Sequence, residues 1–293
     1  MKKILLIILI FYTNLILAQD SYEYFGVIKL NGNDKTVISY RLVFNEHNGK
    51  ISGYSVTDLD GEHETKNVIS GTYNSKSKIF SFKEDEILYT KSKFTEKSFC
   101  FVNFSGKIKL VNKNSKVDGD FKGLYKNNKS CINGTISLIG SEKIYRQMTK
   151  LSKKIDKTKR IDEKTKEYIN PFKQLDSLKI NKLLKDQNLN VFWKSKKFKM
   201  EIFDAGKVDG DIINVYHNNK VILSNYKIIA TKKIIDIVLV AKENEFILEA
   251  INEGTITPNT AKIILIDDVR TFELMSNLKK DEKASITIIK KEL

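Results

Sequence analysis

Three carboxylates crowd into the eight residues Asp204-Ala205-Gly206-Lys207-Val208-Asp209-Gly210-Asp211, and Asn252-Glu253 follows later in the chain. Asp204, Asp209 and Asp211 offer hard oxygen donors on a segment that its glycines allow to turn sharply. Asn252 and Glu253 add two more if both loops lie at one end of a sheet. Such a donor set suits Ca²⁺, which takes about six to eight oxygens. It does not follow the EF-hand pattern, because ligand positions of that loop would fall on Gly206 and Val208. The same residues serve equally well as turn formers, with Asp accepting local backbone hydrogen bonds and glycine supplying positive φ. Both readings stand at this stage.

Other candidate chemistry is thinner. Asp58, Asp60, Glu62, His63 and Glu64 form an acidic cluster that could attract a cation, and it reads as a solvated loop. Of the three histidines, His47 and His217 fall on turn-like text, and neither G-x-S-x-G nor H-E-x-x-H occurs. Two carboxyl groups meeting in space could hydrolyse glycosides, but nothing in the sequence nominates a pair. A non-catalytic protein is therefore expected. Cys100 and Cys131 are the two cysteines, both in strand-like runs and without metal-ligand spacing. In an oxidising compartment an even count predicts a disulfide between them.

The elements that must position these groups fall into three zones. Residues 19–140 read as short alternating apolar runs, at 24–30, 37–44, 51–56, 68–73, 79–82, 99–104, 107–111, 117–125 and 132–139, with Asn31-Gly32-Asn33-Asp34 and Asn48-Gly49 as turns. Glycine recurs inside these runs, at Gly53, Gly71, Gly106, Gly119 and Gly134. Repeated strand glycine implies sharp coiling or close backbone approach, so an antiparallel β-barrel or curved meander is expected. Residues 141–188 lose glycine, and Ile144, Met148, Leu151 and Ile155 recur at helical spacing. Pro171 is expected to end that helix, with a second over 172–184. From residue 189 to 293 strand signals return, at 198–202, 212–216, 221–223, 234–240, 246–251, 261–266, 271–275 and 284–289. An antiparallel β-sandwich is expected there.

Charge and export bound the partners. The chain carries 51 basic and 36 acidic residues, a net charge of +15. All the basic residues are lysine except Arg41, Arg146, Arg160 and Arg270, a composition unlike that of arginine-dependent nucleic-acid readers. No nucleic-acid partner is expected. The 141–188 segment has 14 basic and 7 acidic residues, but its apolar stripe is narrow, so a helical linker is favoured over membrane association. Met1-Lys2-Lys3, an apolar run and Ala18 form a signal-peptide pattern over residues 1–18. The run is interrupted by Thr13-Asn14, which argues against an anchor.

The pairing of Asp204–Asp211 with Asn252-Glu253-Gly254-Thr255-Ile256-Thr257-Pro258-Asn259-Thr260-Ala261 resembles the C-terminal module of uncharacterised secreted proteins from flavobacteria and other Bacteroidota. The resemblance covers residues 190–293, and it implies an envelope or secreted β-module without assigning an activity. The sequence thus predicts a mainly β exported protein, periplasmic, extracellular or at the cell surface, with a binding or structural role and an envelope protein, a glycan or a small ligand as its partner. Alternatives are a carrier of a small apolar ligand within the N-terminal barrel, and a carbohydrate-binding or carbohydrate-active protein.

Overall fold

Alternating inward and outward side chains build a closed antiparallel barrel from the first eight strands: β1 (Ser21–Leu30), β2 (Val37–His47), β3 (Lys50–Asp58), β4 (Thr65–Asn74), β5 (Ile79–Thr90), β6 (Phe101–Lys107), β7 (Lys116–Leu124) and β8 (Gly134–Gly140). A computed structural model describes residues 21–291 apart from 33–35, 60, 94–95, 109, 111–114 and 178. The signal-peptide pattern over residues 1–18 lies outside the described residues. Each strand pairs with the next, and β1 pairs with β8 to close the ring. The β2–β3 hairpin turns through Asn48 and Gly49, both at positive φ, the geometry that makes Asn-Gly a hairpin signal.

The recurrent glycines sit on the inward face. A Cβ at Gly53 would collide with the Val43 carbonyl, and one at Gly71 with that of Ser81. Glycine at these two positions lets neighbouring backbones close up where the sheet coils. Aromatic rings then fill one end of the barrel: Phe44 packs on Tyr22, Tyr24 and Phe80, and Phe80 meets Phe82 and Phe104. Of the run expected as a strand over 107–111, Lys107 is the last residue of β6, Ile108 and Leu110 lie outside any strand, and residues 109 and 111 lie outside the described residues.

Three helices follow: α1 (Ser141–Lys157), α2 (Glu163–Tyr168) and α3 (Pro171–Ser177). Most lysines of α1 are exposed, and so is half of Leu151 on its apolar stripe. Two expectations are corrected here. Pro171 opens α3 instead of ending a helix, because a proline at the first helical position loses no intrahelical bond. Asn170 caps that start, accepting from the Phe172 N–H at 2.9 Å. Nor does a helix run on to residue 184, since Lys182–Leu183 form a short strand, β9.

The C-terminal region contains β10 (Asn188–Trp193), β11 (Lys197–Phe203), β12 (Ile212–His217), β13 (Lys220–Lys227), β14 (Lys233–Val238), β15 (Glu243–Ala250), β16 (Lys262–Ile266), β17 (Thr271–Ser276) and β18 (Lys283–Lys290). They lie in two sheets, β13-β12-β15-β18-β10 and β14-β11-β16-β17-β9, which share one apolar core around Trp193, Phe198 and Phe246. Pairing there is not wholly antiparallel, as β10 runs parallel to β18 and β9 parallel to β17.

β5 joins the two regions. Its first half closes the barrel against β6, while Tyr89 and Thr90 pair with β10. Two register shifts against β4 permit this change of neighbour: Ile69 faces Glu84 while Val68 faces Glu86, and Asn67 faces Ile87 while Lys66 faces Tyr89. Each shift bends the strand and re-aims its side chains. Glu84 therefore points into the barrel, whereas Tyr89 enters the C-terminal core and meets Phe272 edge-on at 5.2 Å.

Candidate functional site

The barrel end opposite the aromatic plug is not filled. Ile28 and Leu30 of β1, Ile38 of β2, Val102 of β6 and Phe121 of β7 form the walls of a cavity of about 290 Å³. That is room for roughly ten non-hydrogen atoms, at the ~30 Å³ a water molecule occupies in the liquid. Cys100 borders the cavity and lies at disulfide distance from Cys131, with Cα atoms 6.1 Å apart. The expected cysteine pair thus ties together the chain on either side of β7 at this mouth.

The polar side of the cavity is built by β4, β5 and the segment between β3 and β4. Glu84 is 5 % exposed, and its Oε1 accepts from Tyr40 Oη at 2.8 Å and Ser55 Oγ at 2.5 Å. Its Oε2 accepts the Val102 N–H at 2.7 Å. Desolvation raises the Glu84 pKa, opposed by the bonds from Ser55, Val102, Tyr40 and Asn67. Burial, reinforced by the Glu84 charge, pushes the Tyr40 phenol well above its usual range. Asn67 is 5 % exposed and its Oδ1 has no hydrogen-bond partner. Thr65 Oγ1 pairs with Thr90 Oγ1 at 2.7 Å, and Ser92 Oγ lies 3.3 Å from His63 Nδ1. Asp58 accepts the His63 N–H, and desolvation followed by the Glu64 charge raises its pKa.

The acidic cluster read from sequence as a solvated loop is thus partly a cavity wall. Asp58 and His63 line it, whereas Glu62 is exposed and Asp60 lies outside the described residues. Glu64 turns away to bind Tyr89 and Lys91. Sequence reasoning missed Glu84 and Asn67. Glu84 was hidden in the charged run Lys83-Glu84-Asp85-Glu86, although alternation from Phe80 and Phe82 places it on the inward face.

The five residues singled out as oxygen donors do come together at one end of the C-terminal sheets. All five spend an oxygen on a backbone N–H. Asp204 accepts from Gly206 at 2.7 Å, Asp209 from Ile256 at 2.9 Å and Asp211 from Thr260 at 2.7 Å. Asn252 accepts from Ile212 at 2.7 Å and Glu253 from Lys280 at 2.9 Å. The Asp209 carboxylate packs so closely on Gly254, at φ +58°, that a Cβ there would lie 2.6 Å from Oδ1. Asp211 is 2 % exposed with its Oδ1 unpartnered, and burial raises its pKa to about 6, with smaller contributions from Asp209, Asp204 and Glu253. Among the described residues, no group of three or more His, Cys, Asp or Glu side chains is placed to hold a metal ion.

Of the other histidines, His47 ends β2 beside Asn48, and His217 stacks on Phe246 with ring centres 4.4 Å apart. A larger hollow of about 920 Å³ lies outside the barrel along β4–β7, rimmed by Ser70, Thr72, Lys83 and Lys122. It is shallow, and none of the buried unpartnered polar atoms among the described residues lines it. Compared with known proteins, the chain matches no family model, no curated protein and no solved structure.

Proposed function

We propose that this is an exported, non-catalytic binding protein whose N-terminal barrel holds a small, mainly apolar ligand at its disulfide-bearing mouth. The observation that carries the reading is the 290 Å³ cavity, with apolar walls and one convergent polar patch at Glu84 and Asn67. A mostly apolar pocket with a few placed polar groups is the usual form of a small-molecule site. Export fits the cysteine pair, since such pairs persist in oxidising compartments. Among the described residues no helix is long and apolar enough to cross a membrane. The two C-terminal sheets, facing each other across one core, are read as a β-sandwich that anchors the barrel through β5 and β10.

Titration of 1-hexanol into ¹⁵N-labelled protein tests the binding reading. Amide shifts should saturate and cluster at Ile28, Leu30, Glu84, Val102 and Phe121. Shifts spread evenly over the surface, or confined to the C-terminal sheets, would refute it.

A further inference from the structure

The electrical character of the cavity runs against that of the chain. With 51 basic residues, a lysine or arginine is the default wall of any hollow in this protein. Four other hollows of about 350 to 950 Å³ each include at least one, such as Lys83, Arg41, Lys76 and Lys93. Among the described residues the barrel cavity is lined by none, and its charged side chains there are the carboxylates of Asp58 and Glu84 beside His63.

Hydrogen bonding points the same way. Asn67 Oδ1, nineteen-twentieths buried, is an acceptor without a donor. The Glu84 carboxylate is surrounded by neutral donors, from Tyr40, Ser55, Val102 and Asn67, and has no cationic partner among the described residues. A buried carboxylate held by hydroxyl and amide groups keeps a negative potential, and burial without a counter-charge is costly. The site thus pairs one buried acceptor that has no donor with carboxylates that face no lysine or arginine among the described lining residues, and a ligand carrying N–H groups and a positive charge would answer both.

We infer that the cavity takes a small organic cation, an ammonium group on a short apolar body, with its N–H groups directed to Asn67 Oδ1 and its charge offsetting Glu84 and Asp58. This rests on the cavity being a binding site. A carboxylic acid of the same length would set its charge against Glu84 and meet an acceptor instead of a donor. The apolar body would lie against Ile28, Leu30 and Val102.

Hexylamine, 1-hexanol and sodium hexanoate share one chain and differ in head group. Titrated at pH 7 by calorimetry and amide shifts, hexylamine should bind at least about tenfold more tightly than hexanoate, with hexanol between them. Glu84→Gln should lower hexylamine affinity by a several-fold larger factor than it changes hexanol affinity. Asp58→Asn, at a half-buried position, provides the same comparison if Glu84→Gln fails to fold. Equal affinity for amine and acid, or preference for the acid, would overturn the cationic class and leave the cavity standing. Absence of shifts at the cavity residues with all three compounds would overturn the cavity reading itself.

Discussion

Glu84 in the barrel and Asp211 in the C-terminal loops are both withdrawn from solvent, at 5 % and 2 % exposure, yet they are provided for differently. Glu84 has both oxygens engaged, by two hydroxyls and a backbone N–H, and it borders open volume. Asp211 has one oxygen on the Thr260 N–H and one with no partner, among three more carboxylates. A carboxylate that is fully solvated by the protein can stay in place to receive a ligand. One left short of a donor shapes a loop and is relieved by a proton. Carboxylate burial alone does not mark a site; its donors and the space beside it do.

Four changes would break or sharpen this contrast. The largest effect is expected from Glu84→Ala, which strands Tyr40, Ser55 and the Val102 N–H without an acceptor. Each buried donor left unsatisfied costs about 1–3 kcal/mol, so the three together should cost at least about 4 kcal/mol. Urea denaturation should show it, and a loss under 1 kcal/mol would mean the network is not formed. Next, replacing Cys100 and Cys131 together by serine should cost about 3–4 kcal/mol, from loop entropy over their 31-residue separation. Unchanged stability under reducing and non-reducing conditions would show that the pair is not linked.

In the C-terminal loops, Gly254→Ala should cost about 2–3 kcal/mol, since alanine resists φ +58° and its Cβ would displace Asp209. The smallest effect, and of opposite sign, belongs to Asp211→Asn. A carboxyl whose pKa rises from 3.8 to about 6 on folding binds its proton more tightly in the native state. Its contribution is therefore most favourable below pH 4, and declines as pH rises through 6. The variant should match wild type at pH 4 and exceed it by about 1–2 kcal/mol at pH 7.5, below the ~3 kcal/mol that 1.4 kcal/mol per pKa unit gives, because solvent beside these loops screens the charge. Thermal melts across that range would show it. Millimolar Ca²⁺ should leave the wild-type melting temperature unchanged. A rise that disappears in Asp211→Asn would instead make these loops a cation site.

Much of the framework was legible because alternation and turn chemistry are local. The barrel strands, the Asn48-Gly49 hairpin and the eight later strands follow from the apolar pattern, and the inward glycines announce coiling. What stayed hidden depends on residues far apart. Glu84 becomes a cavity wall only through the shifts that bend β5 between β4, β6 and β10, and no local pattern encodes those partners. β10 was overlooked because Leu189, Val191 and Trp193 form a short run directly after polar text, and its neighbours β5 and β18 are far away in sequence. The loops at Asp204–Asp211 and Asn252-Glu253, whose meeting was only a condition of the donor set, do lie together. Their backbone hydrogen bonds could not be read, since every donor lies on a residue that carries no chemical signal of its own.

One pair of proteins tests ligand binding at the barrel mouth. Ile38 lines the cavity and is only partly buried, so Ile38→Trp should fill the space without dismantling the core. Calorimetric titration with 1-hexanol should give saturable binding to the wild type and none to a folded Ile38→Trp protein. Equal binding by both would contradict the account.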